Sequence, residues 1–134
     1  MLKDIPENKV ENIAMAIVPE FSPEGDKVWN VYLLNLKKEK IEGVLVTSRG
    51  YGSIRGENVK TSTLRHFLDT LQPLSFAKIE PIIENLFGVS NEYWVSFYLN
   101  KVMYDKKYLF LPETIREEFF THIPVIEKRG VMIK

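Results

Sequence analysis

The chain has no cysteine, only two histidines, no long apolar run and no excess of charge of either sign. Without cysteine, a disulfide scaffold, a cysteine nucleophile and a thiolate-bound zinc site are excluded. His66 and His122 are far apart in sequence, so their spacing does not indicate a metal site. Lys and Arg together number 18, as do Asp and Glu, which argues against a general nucleic-acid coat but leaves room for a local basic patch.

The chain also lacks sequence signals for membranes and secretion. No apolar run approaches the roughly 20 residues that span a bilayer. The polar start, MLKDIPENKVEN, has no apolar core of a signal peptide. We therefore expect a cytoplasmic protein without membrane contact. The length of 134 residues fits one domain, 1–134, and 45% hydrophobic residues suffice for a core.

Runs of alternating or continuous apolar residues predict strands in both halves of the chain. The predicted strands cover 10–19, 28–37, 41–47, 74–83, 91–99 and 102–111. The run 28–37 is apolar on both faces, which is typical of a central strand that is covered on both sides. Short connections between the first three strands predict an antiparallel meander.

Two segments carry the signals of helices. One has apolar residues at i, i+3, i+4 and i+7, namely Leu64, Phe67, Leu68 and Leu71. The other, 112–120, opens with Pro and an acidic residue. The end of the chain, VIEKRGVMIK, is expected to form a last strand or a hairpin around Gly130. The fold class is therefore expected to be α+β, with a mainly antiparallel sheet, the order β-β-β-α-β-β-β-α-β, and two helices packed on one side.

The stretch 48–62, SRGYGSIRGENVKTS, is the clearest candidate for a binding site. Its glycine spacing, G-x-G-x-x-x-G, matches neither the dinucleotide fingerprint nor the phosphate loop of nucleotide hydrolases. Glycines nevertheless allow backbone N–H groups to approach an anion, arginines grip phosphate, and a tyrosine can stack on a base. The candidate phosphate- or RNA-binding residues are Arg49, Gly50, Tyr51, Gly52, Arg55, Gly56, Lys60, Ser62 and Arg65.

Two other interpretations of this stretch stay open. It could be a flexible surface loop that uses glycine for turns and arginine for solubility. Alternatively, Arg49 and Arg55 could pair with carboxylates of a partner subunit.

No catalytic constellation is evident, and no catalytic residue, cofactor or metal is assigned. His66 could pair with Asp69 on the expected helix, but no nucleophile accompanies the two residues. Glu80 and Glu84, like the glutamates near 113–118, are interpreted as solvated surface.

Aromatic residues are concentrated in the predicted strands. Most are expected in the core, but if alternate members are exposed, they form a flat patch of the kind found at interfaces. These aromatics are Trp29, Tyr93, Trp94, Phe97, Tyr98, Tyr104 and Tyr108. The leading hypothesis is a non-enzymatic protein-interaction module that binds itself as a homodimer or another protein. The alternative is a module that binds RNA or a phosphorylated ligand through 48–62.

Several short motifs carry a family likeness. WNVYLLN, VTSRGYG and TSTLRHF, together with NEYWVSFY and YDKKYLF, resemble a group of small bacterial proteins of unknown function, from about Val28 onward. The resemblance implies a stand-alone bacterial cytosolic domain. It implies no activity, so it assigns no catalytic residues.

Overall fold

The computed structural model describes residues 9–134, and the polar start 1–8 lies outside the described residues. Of the described residues, 63% are in strands and 6% in short helical turns, and no helix there reaches seven residues. The strands form two antiparallel sheets. The expected α+β class with two packed helices is therefore wrong.

The first sheet has the strand order β6-β2-β1-β10-β9. Its strands are β1 (Ile13–Phe21), β2 (Lys27–Asn35), β6 (Ser75–Ile82), β9 (Thr121–Ile123) and β10 (Lys128–Ile133). Gly130 belongs to β10 rather than to a turn, and the turn of this last hairpin lies between β9 and β10. A Cβ atom at Gly130 would lie 2.4 Å from the carbonyl oxygen of Ile17, so only glycine fits here beside β1.

The second sheet has the strand order β4-β3-β7-β8, and β5 also pairs with β3. Its strands are β3 (Ile41–Ile54), β4 (Glu57–Lys60), β5 (Leu64–Leu71), β7 (Ser90–Leu99) and β8 (Val102–Phe110). Since β3 belongs to this sheet while β1 and β2 belong to the other, the expected three-strand meander is wrong beyond its first hairpin.

Both expected helices are absent from the described residues. The segment 64–71 is β5, which pairs with β3 over its whole length. Phe67, expected on a buried helix face, is instead 65% exposed, because alternation along a strand turns it away from His66 and Leu68. In the second segment only the 3₁₀ turn Glu117–Phe119 forms.

The core lies between the two sheets. Inward side chains of both sheets make one large apolar cluster, and Tyr108 joins the sheets by donating a hydrogen bond to the carbonyl of Ile13 at 2.6 Å. A second, smaller cluster covers the other face of the first sheet. Its members include Ala14, Ala16, Tyr32 and Leu34. Strand β2 is therefore buried on both faces, as the sequence predicted.

The stretch 48–62 is a strand hairpin rather than a loop. Strand β3 runs through Ile54, and only Arg55 and Gly56 make the turn. Both have positive φ angles, 52° and 80°, the conformation that a two-residue hairpin turn of type I′ requires.

Candidate functional site

A carboxylate, that of Glu80, lies between the two sheets near their edge. In β6, Lys78 pairs with Tyr32 and Glu80 pairs with Val31, so Ile79 is an extra residue that forms a β-bulge. In a regular strand of the same length, side chains alternate, so residue 80 would point to the same face as Lys78, the face of the first sheet that is turned away from the second sheet. With it, the side chain of Glu80 turns toward the interior and is only 14% exposed.

Three side chains of the second sheet meet this carboxylate. The Ser48 hydroxyl donates to Glu80 Oε1 at 2.7 Å, and His66 Nε2 lies 2.7 Å from the same oxygen. The Tyr93 hydroxyl donates to Oε2 over a longer 3.3 Å. Ser48 and Tyr93 are directly opposite each other on β3 and β7, and His66 comes from β5. The four side chains therefore form one polar cluster.

Burial raises the pKa of Tyr93 far above its usual range, and the neighbouring Glu80 raises it further. The phenol consequently keeps its proton at ordinary pH and acts as a hydrogen-bond donor to Glu80. Ser48 is 4% exposed and Tyr93 2% exposed, so both residues are buried.

A cavity of about 340 Å³ opens beside the cluster. Its polar part comes from the cluster residues Ser48, Glu80 and Tyr93 and from Arg49, Thr61, Ser62 and Asn91. Apolar side chains from β5, the end of β6 and the 3₁₀ turn Glu84–Gly88 form most of the remaining wall. These are Leu64, Pro81, Ile82, Ile83 and Leu86. The cavity thus combines one carboxylate with apolar walls, a composition typical of small-molecule sites.

The nine residues predicted from 48–62 and its flank are divided among different places. Gly50 and Ser62 line the cavity, whereas Arg55 and Gly56 form the hairpin turn. Gly52 lies in β3, opposite Val59 of β4. No single phosphate cradle is formed.

The remaining four predicted residues share the outer face of the second sheet. Here, outer face means the surface turned away from the core, formed by alternate residues of β3, β4, β5, β7 and β8. Arg49 and Tyr51 lie on this face in β3. Lys60 is paired with Tyr51, and Arg65 is paired with Thr47, so both lie on the same face.

Arg49 and Tyr51 have a carboxylate partner within the chain. Arg49 Nε donates to Glu92 Oε2 at 2.9 Å, and the Tyr51 hydroxyl donates to Glu92 Oε1 at 3.1 Å. The guanidinium also lies over the Tyr51 ring, 5.2 Å from its centre. Burial raises the pKa of Glu92, but the hydrogen bonds from Arg49 and Tyr51 outweigh this effect, so the pKa falls below its usual value.

Exposed aromatic rings occupy the same outer face. Trp94 is 44% exposed, Tyr98 47% and Phe67 65%. Leu45 lies between Phe67 on β5 and Ser96 on β7, so the rings flank a partly buried aliphatic residue. The strand aromatics therefore do include an exposed subset on one face.

Charges on the outer face are separated along the strand direction. One end holds the basic side chains, which are Arg49, Lys60, Arg65 and Lys107. The other end holds Glu42, opposite Tyr98, and Asp105, opposite Ser96. At the basic end Glu92 is the acidic residue, and it is paired with Arg49.

The sequence did not identify Glu80 as part of a site, because the bulge that turns it inward has no sequence signal in a run such as SFAKIEPI. The idea that His66 pairs with Asp69 is wrong. In a strand, residues three apart point to opposite faces, and His66 contacts Glu80 while Asp69 is exposed. His122 pairs with Glu127 at the surface.

No protein-family model matches the chain, and comparisons with curated proteins and with solved structures find no significant match. Within residues 9–134, no helix is long and apolar enough to cross a membrane. The same residues contain no group of three or more His, Asp or Glu side chains placed to hold a metal ion.

Proposed function

We propose that the chain is a cytoplasmic protein-interaction module that pairs with a second copy of itself through the outer face of the second sheet. The observation that supports this proposal is the exposed aromatic group Phe67, Trp94 and Tyr98, flanked by a basic end and an acidic end. Large exposed rings on a flat sheet are typical of interfaces, where aromatic residues supply most of the binding energy.

The charge pattern favours a second copy as the partner. In a two-fold symmetric pair, each surface patch meets the same patch of the other copy. A two-fold axis that lies between the facing sheets and runs across the strands would keep β8 over β8 but reverse the strand direction. The basic end of each copy would then lie over the acidic end of the other, so the face is complementary to itself.

The strand pairing allows one specific contact to be inferred. Lys107 and Asp105 are both on the outer face, two residues apart on β8, opposite Trp94 and Ser96 respectively. If the axis passes between these two rows, Lys107 of one copy lies over Asp105 of the other, and by symmetry the contact occurs twice. Trp94 then lies near the centre of the interface, where water is excluded most completely.

The experiment is sedimentation equilibrium of four proteins over a wide concentration range. These are the wild type, Lys107→Glu, Asp105→Lys and the double variant. Either single reversal replaces two attractions by two repulsions and should weaken the dimer roughly tenfold or more. The double variant restores opposite charges at both contacts and should dimerise nearly as well as the wild type.

Two exposed turn residues provide matched controls. Lys38→Glu, between β2 and β3, and Glu24→Lys, between β1 and β2, make the same charge changes away from the outer face. Both should leave the dimer unchanged. A wild-type protein that stays monomeric at high concentration, or a double variant as weak as the single ones, would contradict the proposal.

A second candidate, binding of single-stranded RNA, is favoured by a separate observation. The basic end places Arg65 and Lys107 in one row with Trp94, and Lys60 beside Tyr51. Exposed aromatics among basic residues on a sheet are suited to stacking bases and contacting phosphates.

The same variants distinguish the two candidates. For RNA binding, Asp105→Lys adds a positive charge and should strengthen salt-dependent binding to a short labelled oligonucleotide. For self-association, the same change weakens the dimer. Measurement of RNA binding by fluorescence anisotropy at low and moderate salt therefore complements the sedimentation experiment.

A further inference from the structure

We propose that the cavity beside Glu80 binds a small organic ammonium ion, namely a primary amine with a short apolar body. This site lies on the inner side of the second sheet and is independent of the outer face described above. The inference follows from the charge, the hydrogen-bonding groups and the apolar walls of the cavity.

The cavity has one carboxylate, that of Glu80, which pairs with a histidine and with no lysine or arginine among the described residues. Among the described residues that line it, the ionisable side chains are Arg49, Glu80 and Tyr93. Arg49 is paired with Glu92 on the other side of the sheet, and Tyr93 keeps its proton. His66 contacts Glu80, and within residues 9–134 no lysine or arginine forms an ion pair with this carboxylate. A cationic ligand would compensate its charge.

The hydrogen-bonding groups are arranged as acceptors toward an incoming donor. Ser48 and Tyr93 both give their protons to Glu80, so their oxygen lone pairs remain to accept further hydrogen bonds. Glu80 Oε1 already has two close partners, whereas Oε2 has the single 3.3 Å contact from Tyr93 within residues 9–134. An ammonium group has three N–H donors, which could meet Oε2 and the two hydroxyl oxygens.

The same arrangement disfavours anions. A phosphate or carboxylate placed in the cavity would face the carboxylate of Glu80 and the lone pairs of Ser48 and Tyr93. Arg49, the cationic residue among those that line the cavity, is already paired with Glu92. Gly50 and Ser62, which the sequence suggested as phosphate ligands, therefore line a cavity whose polar part has the wrong sign for phosphate.

The walls define the rest of the ligand. Its apolar lining includes Leu64, Ile82, Ile83 and Leu86. Of these, Leu64 is 48% exposed and Ile83 is 63% exposed. An apolar ligand body would cover this exposed surface, which is favourable in proportion to the area removed from water. A volume of about 340 Å³ is at the lower end for small-molecule sites and suits a short chain or one ring.

The test is an NMR titration of the ¹⁵N-labelled full chain with three probes of similar length. Butylamine should shift the backbone amides of Ser48, Tyr93 and Leu86 in a saturable way. Butanol should bind more weakly, and butyrate should not bind. Equal shifts from all three probes would overturn the proposal.

The variant Glu80→Gln keeps the shape of the side chain but removes its charge. It should weaken butylamine binding roughly tenfold or more and abolish the preference for the amine over the alcohol. Glu57→Gln, on the exposed strand β4, is the matched control and should bind as the wild type does. Unchanged amine affinity in folded Glu80→Gln would overturn the proposal.

A second variant keeps the test decisive if Glu80→Gln does not fold. Leu64→Lys changes a residue that is 48% exposed, so the core is left intact, and it adds an ammonium at the cavity. The added charge should repel or replace the ligand, so the shifts caused by butylamine should be lost. Normal butylamine binding by this variant would contradict the assigned position of the site.

Discussion

The hydrogen bond between Tyr108 and the Ile13 carbonyl gives a direct test of how the two sheets are joined. Tyr108 lies on β8 of the second sheet, is 0% exposed, and donates to a backbone oxygen on β1 of the first sheet at 2.6 Å. Burial raises the pKa of Tyr108, so the hydroxyl keeps its donor proton. The substitution Tyr108→Phe removes this hydroxyl and leaves the ring in place.

The expected loss of stability follows from the buried environment of the Tyr108 hydroxyl and the Ile13 carbonyl. Because the ring remains, no large cavity forms, and the main change is the loss of one buried hydrogen bond. A hydrogen bond makes a net contribution of about 1 kcal/mol to the free energy of unfolding, and a carbonyl left without its partner in an apolar core costs about 1–3 kcal/mol of it. For a domain of this size, such a loss lowers the melting temperature by roughly 3–10 °C.

The measurement is urea unfolding followed by tryptophan fluorescence, with the midpoint and slope compared between proteins. Tyr104→Phe, on the same strand, is the control, because its ring stacks on Phe97 and no hydrogen bond of its hydroxyl is found within residues 9–134. The control should change stability by less than about 0.5 kcal/mol. Equal stability of Tyr108→Phe and the wild type would refute the inference that this bond joins the sheets.

Two further predictions concern single residues on interior strands of the two sheets, Glu92 on β7 and Gly130 on β10. Glu92→Gln should lower the free energy of unfolding near neutral pH and make that free energy depend less on pH in the acid range. The reason is that folding lowers the pKa of Glu92, so this carboxyl stabilises the fold above its unfolded pKa and loses the effect as pH falls through the folded pKa. Denaturant titrations at several pH values would show this, and a pH profile like that of the wild type would contradict it. Gly130→Ala should cost about 3 kcal/mol or more, since the new Cβ would lie 2.4 Å from the Ile17 carbonyl oxygen; a wild-type melting curve would disprove this.

Strands with strong local signals could be predicted from the sequence. The apolar and aromatic runs near 28–37 and 91–99 agree with β2 and β7 to within two residues, and β2 is buried on both faces as expected. Burial on both faces leaves a continuous apolar run, which is visible without any knowledge of partner strands.

The helix predicted over Leu64–Leu71 failed because a short segment can satisfy two periodicities. The spacing of its four apolar residues fits a helix, but the backbone pairing of this segment with β3 stabilises a strand instead. Two of those residues, Leu64 and Phe67, are then exposed rather than buried. Strand pairing between distant segments is not contained in the local pattern.

The candidate sites depend on long-range geometry in the same way. The candidate residues of 48–62 were recognised, but not that Arg49, Tyr51 and Lys60 share the outer face while Gly50 and Ser62 line the cavity. The cluster around Glu80 joins four strands, so no sequence spacing could indicate it. His66 was noticed, yet with Asp69 as the wrong partner.

The bulge at Ile79 has a consequence for how this chain can change over evolution. Because one extra residue interrupts the pairing of β6 with β2, two consecutive side chains, those of Ile79 and Glu80, both face the interior. Since Ile79 is the unpaired residue, its loss would leave Glu80 directly after Lys78 and still opposite Val31, so the carboxylate would keep its inward direction while the core lost the side chain of Ile79. Relatives with the same fold could therefore lack the bulge and keep this site, and the identity of the acidic residue, rather than the length of the strand, would mark which of them retain it.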